Sequence, residues 1–278
     1  MTGTLYLVAT PIGNLEDMTF RGLRILQTVD LIAAEDTRHT GKLLHHYQVK
    51  TPMVSYHEHN HHTRIADFLA QLGGGKSIAL VTDAGTPGIS DPGYHLVVSC
   101  VDHDMNVIPI PGANAAINGL IASGLPTDKF VFEGFLPTKK KLRHDLLSQL
   151  QGEKRTMIFY EAPHRLCKTL ADFGQIFGLS RRITLARELT KLHENFWRGT
   201  VESAIALYQN QEPRGEYTII VEGNKAQDIL ELSPEQIQQE IIKLLEQGMS
   251  KSEASKHIAQ FTTLSRREIY RLSLPLTS

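Results

Sequence analysis

Residues 82–93 combine breakers of regular structure with ionisable side chains, directly after the apolar run 77–81. That run has the length and composition of a buried strand. Glycine and proline then recur so often that no helix can continue, and Asp83 and Asp91 lie among them. Because glycines let backbone groups approach a ligand closely, we expect the floor of a small-molecule site. A long structural loop is the alternative.

Two other loops of small residues follow apolar runs in the same way, at residues 10–14 and 111–115. Ligands of open α/β sheets bind beyond the carboxyl ends of the strands, so the three loops are expected to converge on one pocket. The dinucleotide fingerprint G-x-G-x-x-G is absent. Residues 73–77 lack the first glycine of a P-loop and precede a strand-like run, whereas a P-loop follows a strand. Neither phosphate-binding motif is therefore present.

A histidine-rich segment has the density of a metal site, with His57, His59, His61 and His62 in close succession. The order nearly matches the H-x-H-x-D-H pattern of dinuclear centres, but His61 stands at the aspartate position. Metal ligands also need groups that orient them, and the sequence identifies none. We therefore expect a solvated polar loop and no metal.

Composition limits the class of protein. The chain has 278 residues, 41% of them hydrophobic, and a net charge of −1, which implies no global attraction to nucleic acid. Cys100 and Cys167 form no C-x-x-C pair, which favours a reducing compartment and argues against a cysteine metal site. Since no leader-like segment or membrane-length apolar run is evident, we expect a soluble, cytoplasmic protein without membrane contact.

The order of the predicted elements indicates an α/β protein in three parts. Strand-like runs alternate with helical patterns in residues 1–124 and again in 125–226, with a hinge-like segment at 124–128. In residues 227–278, capping boxes beginning at Ser233, Ser250 and Ser265 predict three short helices. The basic side chains there favour a helix-turn-helix-like RNA-binding module. A packing or dimerisation module fits the pattern equally well.

A set of motifs in collinear order spans residues 4 to about 224. They are TPIGNL at 10–15, AEDTRH at 34–39, SYH at 55–57, TDAGTP at 82–87, SDPG at 90–93, PG at 111–112, EGFLP at 133–137, FYE at 159–161, HR at 164–165 and RELTK at 187–191. Together they resemble the bacterial ribosomal RNA small-subunit methyltransferase I family of the tetrapyrrole methylase superfamily. The tail resembles that family's small C-terminal helical domain. The chain departs from the family pattern at Gly88, where a bulky residue is usual, and at Ala113 and Asn114.

The resemblance implies two α/β domains of the tetrapyrrole methylase (class III methyltransferase) type, with S-adenosylmethionine in the cleft between them. It also implies a homodimer without metal. The implied reaction is 2′-O-ribose methylation of a decoding-centre cytidine in small-subunit (16S) ribosomal RNA, with the assembled 30S subunit as the expected substrate. Two alternatives are methylation of a tetrapyrrole ring carbon and a ribosome-binding module without catalysis.

On this resemblance, residues of both domains are expected to hold the methyl donor: Pro11, Ile12, Gly13, Asp83, Ala84, Gly85, Thr86, Pro111, Gly112, Ala113, Tyr160, Arg187 and Glu216. A hydroxyl nucleophile must lose its proton, so a positioned acceptor is expected at a strand end. The candidate catalytic residues are Glu35, Asp36, Arg38 and Glu161. Cations expected to contact substrate RNA are Arg165, Lys191, Lys139, Lys140, Arg266 and Arg267. Alternatively, the charged residues of 35–38 and 188–191 form internal ion pairs that stiffen the cleft.

Overall fold

The computed structural model describes residues 2–225, 232–259, 262 and 264–274. The chain divides into two compact units, Met1–Gly223 and Asn224–Ser278. The larger unit contains two five-stranded sheets, one in each of the two α/β parts that the sequence predicts. The predicted boundaries at residues 124 and 226 stay predictions.

The first sheet is entirely parallel. Its strands are β1 (Thr4–Val8), β2 (Leu31–Ala34), β3 (Met53–Ser55), β4 (Ile78–Val81) and β5 (Asn106–Ile110), in the order β3-β2-β4-β1-β5. Every residue of β2 and β4 is buried, as expected for short apolar strands covered on both faces. Since β4, β1 and β5 are neighbours and parallel, the three predicted ligand loops leave the same edge of the sheet.

Helices connect these strands: α1 (Phe20–Thr28), α2 (Thr37–His46), α3 (His61–Gly73), α4 (Tyr94–Asp102) and α5 (Ala115–Ile121). Polar caps fix several starting points, because a side-chain oxygen at the N-cap accepts a backbone N–H that the helix leaves unsatisfied. Asp36 caps α2 and Asn114 caps α5 in this way. The loop at 111–115 therefore ends in a helix start, as its residues predict.

The second sheet is mixed. Its strands are β6 (Phe130–Phe135), β7 (Thr156–Glu161), β8 (Arg182–Arg187), β9 (Asn195–Thr200) and β10 (Tyr217–Val221), in the order β6-β7-β10-β8-β9. Only β6 and β7 pair in parallel. The antiparallel register places Thr218 between Tyr160 and Ala186, so one row of side chains crosses three strands. Helices α6 (Lys140–Gln149), α7 (Pro163–Ile176) and α8 (Val201–Gln209) complete this half.

Helix α5 joins the two halves. Its buried residues Ala116 and Leu120 pack with Ile158 and Ile220 of the second sheet. Gly119 allows this close approach, since a Cβ there would lie 2.9 Å from the Thr218 side chain. The helix that follows the third ligand loop thus rests on the second sheet, which fixes that loop opposite strands β7, β8 and β10.

The smaller unit is helical. Helices α9 (Pro234–Glu246), α10 (Lys251–Ile258) and α11 (Arg266–Ser273) each begin with a capping box, at Ser233, Ser250 and Ser265. The three capped helices predicted from the sequence are therefore confirmed. Their common core consists of isoleucines: Ile237, Ile241, Ile258 and Ile269. No helix in the described ranges is long and apolar enough to cross a membrane.

Candidate active site

A cavity of about 270 Å³ opens between the two sheets of the larger unit. Its size lies near the lower end of the range for small-molecule pockets, roughly 300–1,000 Å³. The lining residues are Ile12, Ala84, Gly85, Thr86, Ile89, Ser90, Asp91, Asn114 and Ala115 from the first half, and Phe135, Tyr160, Glu161, Ala162, Ala186, Glu188, Leu189, Lys191, Glu216, Tyr217 and Thr218 from the second. All three predicted loops of the first half contribute.

Hydrogen bonds tie the three loops into one surface. Thr10 and Gly85 exchange two backbone hydrogen bonds of 2.9 and 3.1 Å. Thr86 Oγ1 donates to the carbonyl of Ala113 at 3.1 Å, and Asn114 Nδ2 donates to Thr86 Oγ1 at 3.2 Å. These links satisfy polar groups locally and leave little freedom to the loops, so the first wall is pre-formed.

The first wall also touches the second directly. A Cβ on Gly13 would lie 2.3 Å from Lys191 Cγ, so only glycine fits there without displacing the lysine. The Tyr160 hydroxyl accepts the backbone N–H of Ala116 at 3.1 Å. Tyr160 also makes edge contacts with Phe132 and Phe135. The first turn of α5 is thus anchored to the central row of the second sheet.

A chain of carboxylates lies beside the first wall. Glu35 Oε2 accepts the backbone N–H of Asp83 at 3.3 Å, and Asp83 Oδ1 accepts the N–H of Asp36 at 3.2 Å. Burial raises the pKa of Glu35. Asp91 lines the cavity itself, and burial, with the charges of Glu35 and Asp83, raises the pKa of Asp91 to about 7.

Asp91 is a functional candidate that the sequence did not single out as a proton acceptor. It stands in the glycine-rich loop, but so does Asp83, and nothing in the order of residues separates their roles. The structure separates them by access to the cavity: Asp91 is among the described residues that line it, and Asp83 is not. Ser90, just before Asp91, has a φ of +62°, a conformation that non-glycine residues rarely adopt. Such strain is concentrated at functional sites.

Asp36 and Arg38 form a pair of their own. Asp36 accepts the backbone N–H of Arg38 at 2.8 Å as the cap of α2, and its carboxylate binds the Arg38 guanidinium at 3.2 and 2.8 Å. These hydrogen bonds hold the pKa of Asp36 well below its usual range, so it is fully ionised. The Arg38 side chain is 90% exposed. Neither residue is among the described residues that line the cavity.

Glu161 lines the cavity, but its oxygens already have partners. It accepts Thr169 Oγ1 at 2.5 Å and the Ala162 N–H at 3.0 Å, and it pairs with Arg165 at 3.2 Å. Arg165 turns inward and also donates to the carbonyl of Leu136. This geometry fits a positioning role for Glu161 better than proton transfer.

A second cluster of ion pairs closes the other side of the cavity. Lys191 Nζ donates to Glu188 and Glu216 at 3.0 Å each. Burial disfavours its charge, but these hydrogen bonds outweigh that effect and raise the pKa of Lys191. The predicted alternative of an internal pair at 188–191 is therefore present in the structure. Arg187 is half-buried, and its Nε has no hydrogen-bond partner among the described residues.

The remaining predicted residues lie in three places. Pro11, Pro111 and Gly112 are at the loops of the first wall, where Pro111 and Gly112 are exposed. Lys139 and Lys140 are exposed at the start of α6. Near them, a smaller cavity is lined by Thr138, Arg143, His164, Arg165, Lys168 and Thr169. Arg266 and Arg267 are exposed at the start of α11, in the smaller unit.

Comparison with known proteins identifies the family. The model of the Tetrapyrrole (Corrin/Porphyrin) Methylases matches residues 4–205. A Synechocystis protein named Ribosomal RNA small subunit methyltransferase I is 56% identical over 99% of this chain and 98% of its own length. The chain belongs to the ribosomal RNA small subunit methyltransferase I family of tetrapyrrole methylases. Proteins of the same name from Halalkalibacterium halodurans and Escherichia coli are each 51% identical, over 97% and 81% of this chain and 94% and 80% of their own lengths.

Solved structures support the fold of this family. Uroporphyrin-III-C-methyltransferase from Thermus thermophilus matches with a TM-score of 0.55 at 20% identity, covering 79% of this chain and 94% of its own. Cobalt precorrin-4 methyltransferase matches with a TM-score of 0.56 at 16% identity and the same coverage. The predicted class III methyltransferase fold is confirmed. As a methyltransferase of this family the chain uses S-adenosylmethionine, and a pre-formed cavity with small residues on one wall fits that donor.

Proposed function

We propose that this enzyme transfers a methyl group from S-adenosylmethionine to the ribose 2′-hydroxyl of a decoding-centre cytidine in 16S ribosomal RNA. The observation that carries the proposal is the near-full-length identity of 56% to a ribosomal RNA small subunit methyltransferase I. Identity to the solved enzymes named for tetrapyrroles is only 16–20%.

The donor is assigned to the cavity between the sheets. Backbone groups of residues 11–13, 83–86 and 111–113 form one wall, and Tyr160 and Glu216 contribute to the other. Arg187, which the resemblance also implies as a donor contact, is not among the described residues that line this cavity. S-adenosylmethionine carries its methyl group on a positively charged sulfur. When the methyl group is transferred, that sulfur departs as a neutral thioether, which is an excellent leaving group. Much of the catalysis is therefore in-line positioning by these rigid loops.

The ribose hydroxyl must lose its proton during transfer, and a carboxylate at the cavity wall can accept it. Asp91 and Glu35 are the candidates with raised pKa values, and only Asp91 lines the cavity. Asp36 is bound to Arg38 and Glu161 to Arg165, so these two position their arginines. We therefore assign proton acceptance to Asp91, assisted by Glu35.

RNA is assigned to basic side chains of both units. Arg38 is exposed and held by Asp36, which leaves its outer N–H groups available to a phosphate. Lys139 and Lys140 are exposed at the start of α6, next in the chain to Thr138, which lines the small cavity together with Arg165. Lys191, Arg266 and Arg267 are further proposed contacts. RNA binding and packing both stay open as roles for the smaller unit.

The cellular setting follows from the same proposal. The assembled 30S subunit is the proposed substrate, and the cytoplasm the proposed compartment. Exposed apolar side chains support a homodimer, because large exposed apolar side chains grouped on one surface indicate an interaction site. Tyr94 and Val101, two helical turns apart and therefore on one face of α4, are 67% and 60% exposed.

The function is tested by methylation in vitro. Purified enzyme with labelled S-adenosylmethionine should methylate 30S subunits from a strain that lacks this modification, at one cytidine 2′-oxygen. Uroporphyrinogen serves as the competing substrate, since the fold is shared with a uroporphyrin methyltransferase. Label in the tetrapyrrole and none in RNA would refute the proposal.

A further inference from the structure

The histidine-rich segment acquires a third partner in the fold. Glu58 and His61 lie at the turn that begins α3, and His95 lies in the first turn of α4. Ligating atoms of these three side chains all lie within 4.8 Å of one another. The rings of His61 and His95 are stacked, with centroids 4.8 Å apart and planes 14° apart. The sequence could not show this cluster, because His95 is more than thirty residues away from His61.

One hydrogen bond fixes how His61 can act. Its Nδ1 lies 2.6 Å from the backbone carbonyl of Glu58. A carbonyl oxygen only accepts hydrogen bonds, so Nδ1 carries the proton and Nε2 keeps its lone pair. Metal-binding histidines are held in this way, with the second ring nitrogen donating to a carbonyl or carboxylate. The orienting group that the sequence did not reveal is therefore the main chain of the same turn.

The three ligating groups are otherwise uncommitted. Within the described ranges, the Glu58 carboxylate and the ring nitrogens of His95 have no hydrogen-bond or ion-pair partner. His61 is 9% exposed, whereas Glu58 and His95 are exposed. The buried imidazole thus provides a fixed point, and the two surface side chains can move toward it by changing rotamers.

We propose that Glu58, His61 and His95 bind one divalent transition-metal ion, with Zn²⁺ as the expected metal. Two imidazoles and a carboxylate form a donor set that zinc accepts, with a fourth position left to water. Tetrahedral zinc with bonds of about 2.0–2.1 Å needs ligand atoms roughly 3.3 Å apart. The ligating atoms lie at most 4.8 Å apart, so each distance between them must shorten by at most about 1.5 Å. Rotamer changes of the two exposed side chains can provide this movement.

The position of the cluster indicates what the ion does. His95 follows the loop 82–93 directly, and Glu58 and His61 belong to the connection between β3 and α3. An ion bound by all three joins the starts of α3 and α4 and limits the movement of that loop. The site therefore acts on stability and on the order of this loop, and it supplies no group that contacts the reacting atoms.

Calorimetric titration of the untagged full-length protein with ZnCl₂ tests the site. We expect one ion per chain, and affinity at least about tenfold weaker in His95→Ala and in Glu58→Gln. His103→Ala is the matched control, since His103 is an exposed histidine at the other end of α4, and it should bind zinc like the wild type. Zinc should also raise the melting temperature of the wild type and of the control, but not of His95→Ala.

Three results would overturn the proposal: no zinc binding by the wild type, unchanged affinity in His95→Ala, or several equivalent ions per chain. The second would mean that residues 57–62 bind zinc alone. Circular dichroism checks that each variant is folded. If His95→Ala does not fold, the titration of Glu58→Gln decides the test. A parallel titration with S-adenosylmethionine tests the donor site separately, because the metal site does not depend on the proposed reaction.

Discussion

Replacing Asp91 with asparagine removes the proposed proton acceptor while keeping the size of the side chain. A general base contributes about 10²–10⁴-fold to a rate, so the single-turnover rate of Asp91→Asn should fall by at least about 100-fold. In the wild type the acceptor must be ionised. Because the pKa of Asp91 is about 7, the rate should rise with pH up to about 7 and then level off. In the variant this rise should disappear.

The same substitution should raise the stability of the protein at high pH, although it lowers the rate of methyl transfer. A carboxyl whose pKa is raised in the folded protein costs stability once it ionises, here as the pH rises from about 4 to about 7. A rise from 3.8 to about 7 corresponds to about 4 kcal/mol, and partial exposure reduces this to about 1–2 kcal/mol. At pH 8, Asp91→Asn should therefore be more stable than the wild type by that amount.

The assay is single-turnover transfer from labelled S-adenosylmethionine to 30S subunits over roughly pH 5.5–9, a range that spans the pKa of Asp91. Urea unfolding at pH 5 and pH 8 follows the stability. Asp102→Asn is the control, since Asp102 is exposed at the end of α4. An Asp91→Asn enzyme with wild-type rate and pH profile would refute the assignment of the acceptor.

Four further variants test the other parts of the site. Asp36→Ala and Arg38→Ala should each abolish methyl transfer; Arg38→Ala should leave the melting temperature nearly unchanged because Arg38 is exposed, whereas Asp36→Ala should also lower it because the cap of α2 is lost. Wild-type turnover in both would contradict the role of the pair. Gly119→Val should destabilise the larger unit by about 1–3 kcal/mol in urea unfolding, since its side chain would collide with β10; unchanged stability would argue against the close contact of α5. The double variant Lys139→Ala/Lys140→Ala should raise KM for 30S subunits and weaken its salt dependence, with kcat unchanged; an unaffected KM would remove these lysines from the RNA surface.

Local features of the fold were predictable from the sequence. The three capping boxes of the smaller unit depend on residues three apart, and all three form. The ligand loops were predictable because glycine and proline interrupt apolar runs at 10–14, 82–93 and 111–115. Their convergence required that the strands before them be parallel, which short, fully apolar runs such as β4 indicate. It also required that β4, β1 and β5 be neighbours in the sheet, which no local pattern encodes.

Features that depend on pairing across the chain were not predictable. The antiparallel insertion of β10 between β7 and β8 sets the row of Tyr160, Thr218 and Ala186, and no local pattern encodes it. The roles of the carboxylates also depend on distant partners. Glu161 is occupied by Arg165 and Thr169, whereas Asp91 owes its raised pKa to burial and to Glu35 from another loop.

The central claim is the identity of the methylated atom, and mapping of 16S ribosomal RNA tests it most directly. RNA from a strain without this gene, and from the same strain carrying either the wild type or Asp91→Asn, should be digested and analysed by mass spectrometry. One decoding-centre cytidine should lose its 2′-O-methyl group in the deletion strain. Only the wild-type gene should restore it. An unchanged ribose at that position in the deletion strain, or restoration of a methyl group on a base instead, would contradict the account.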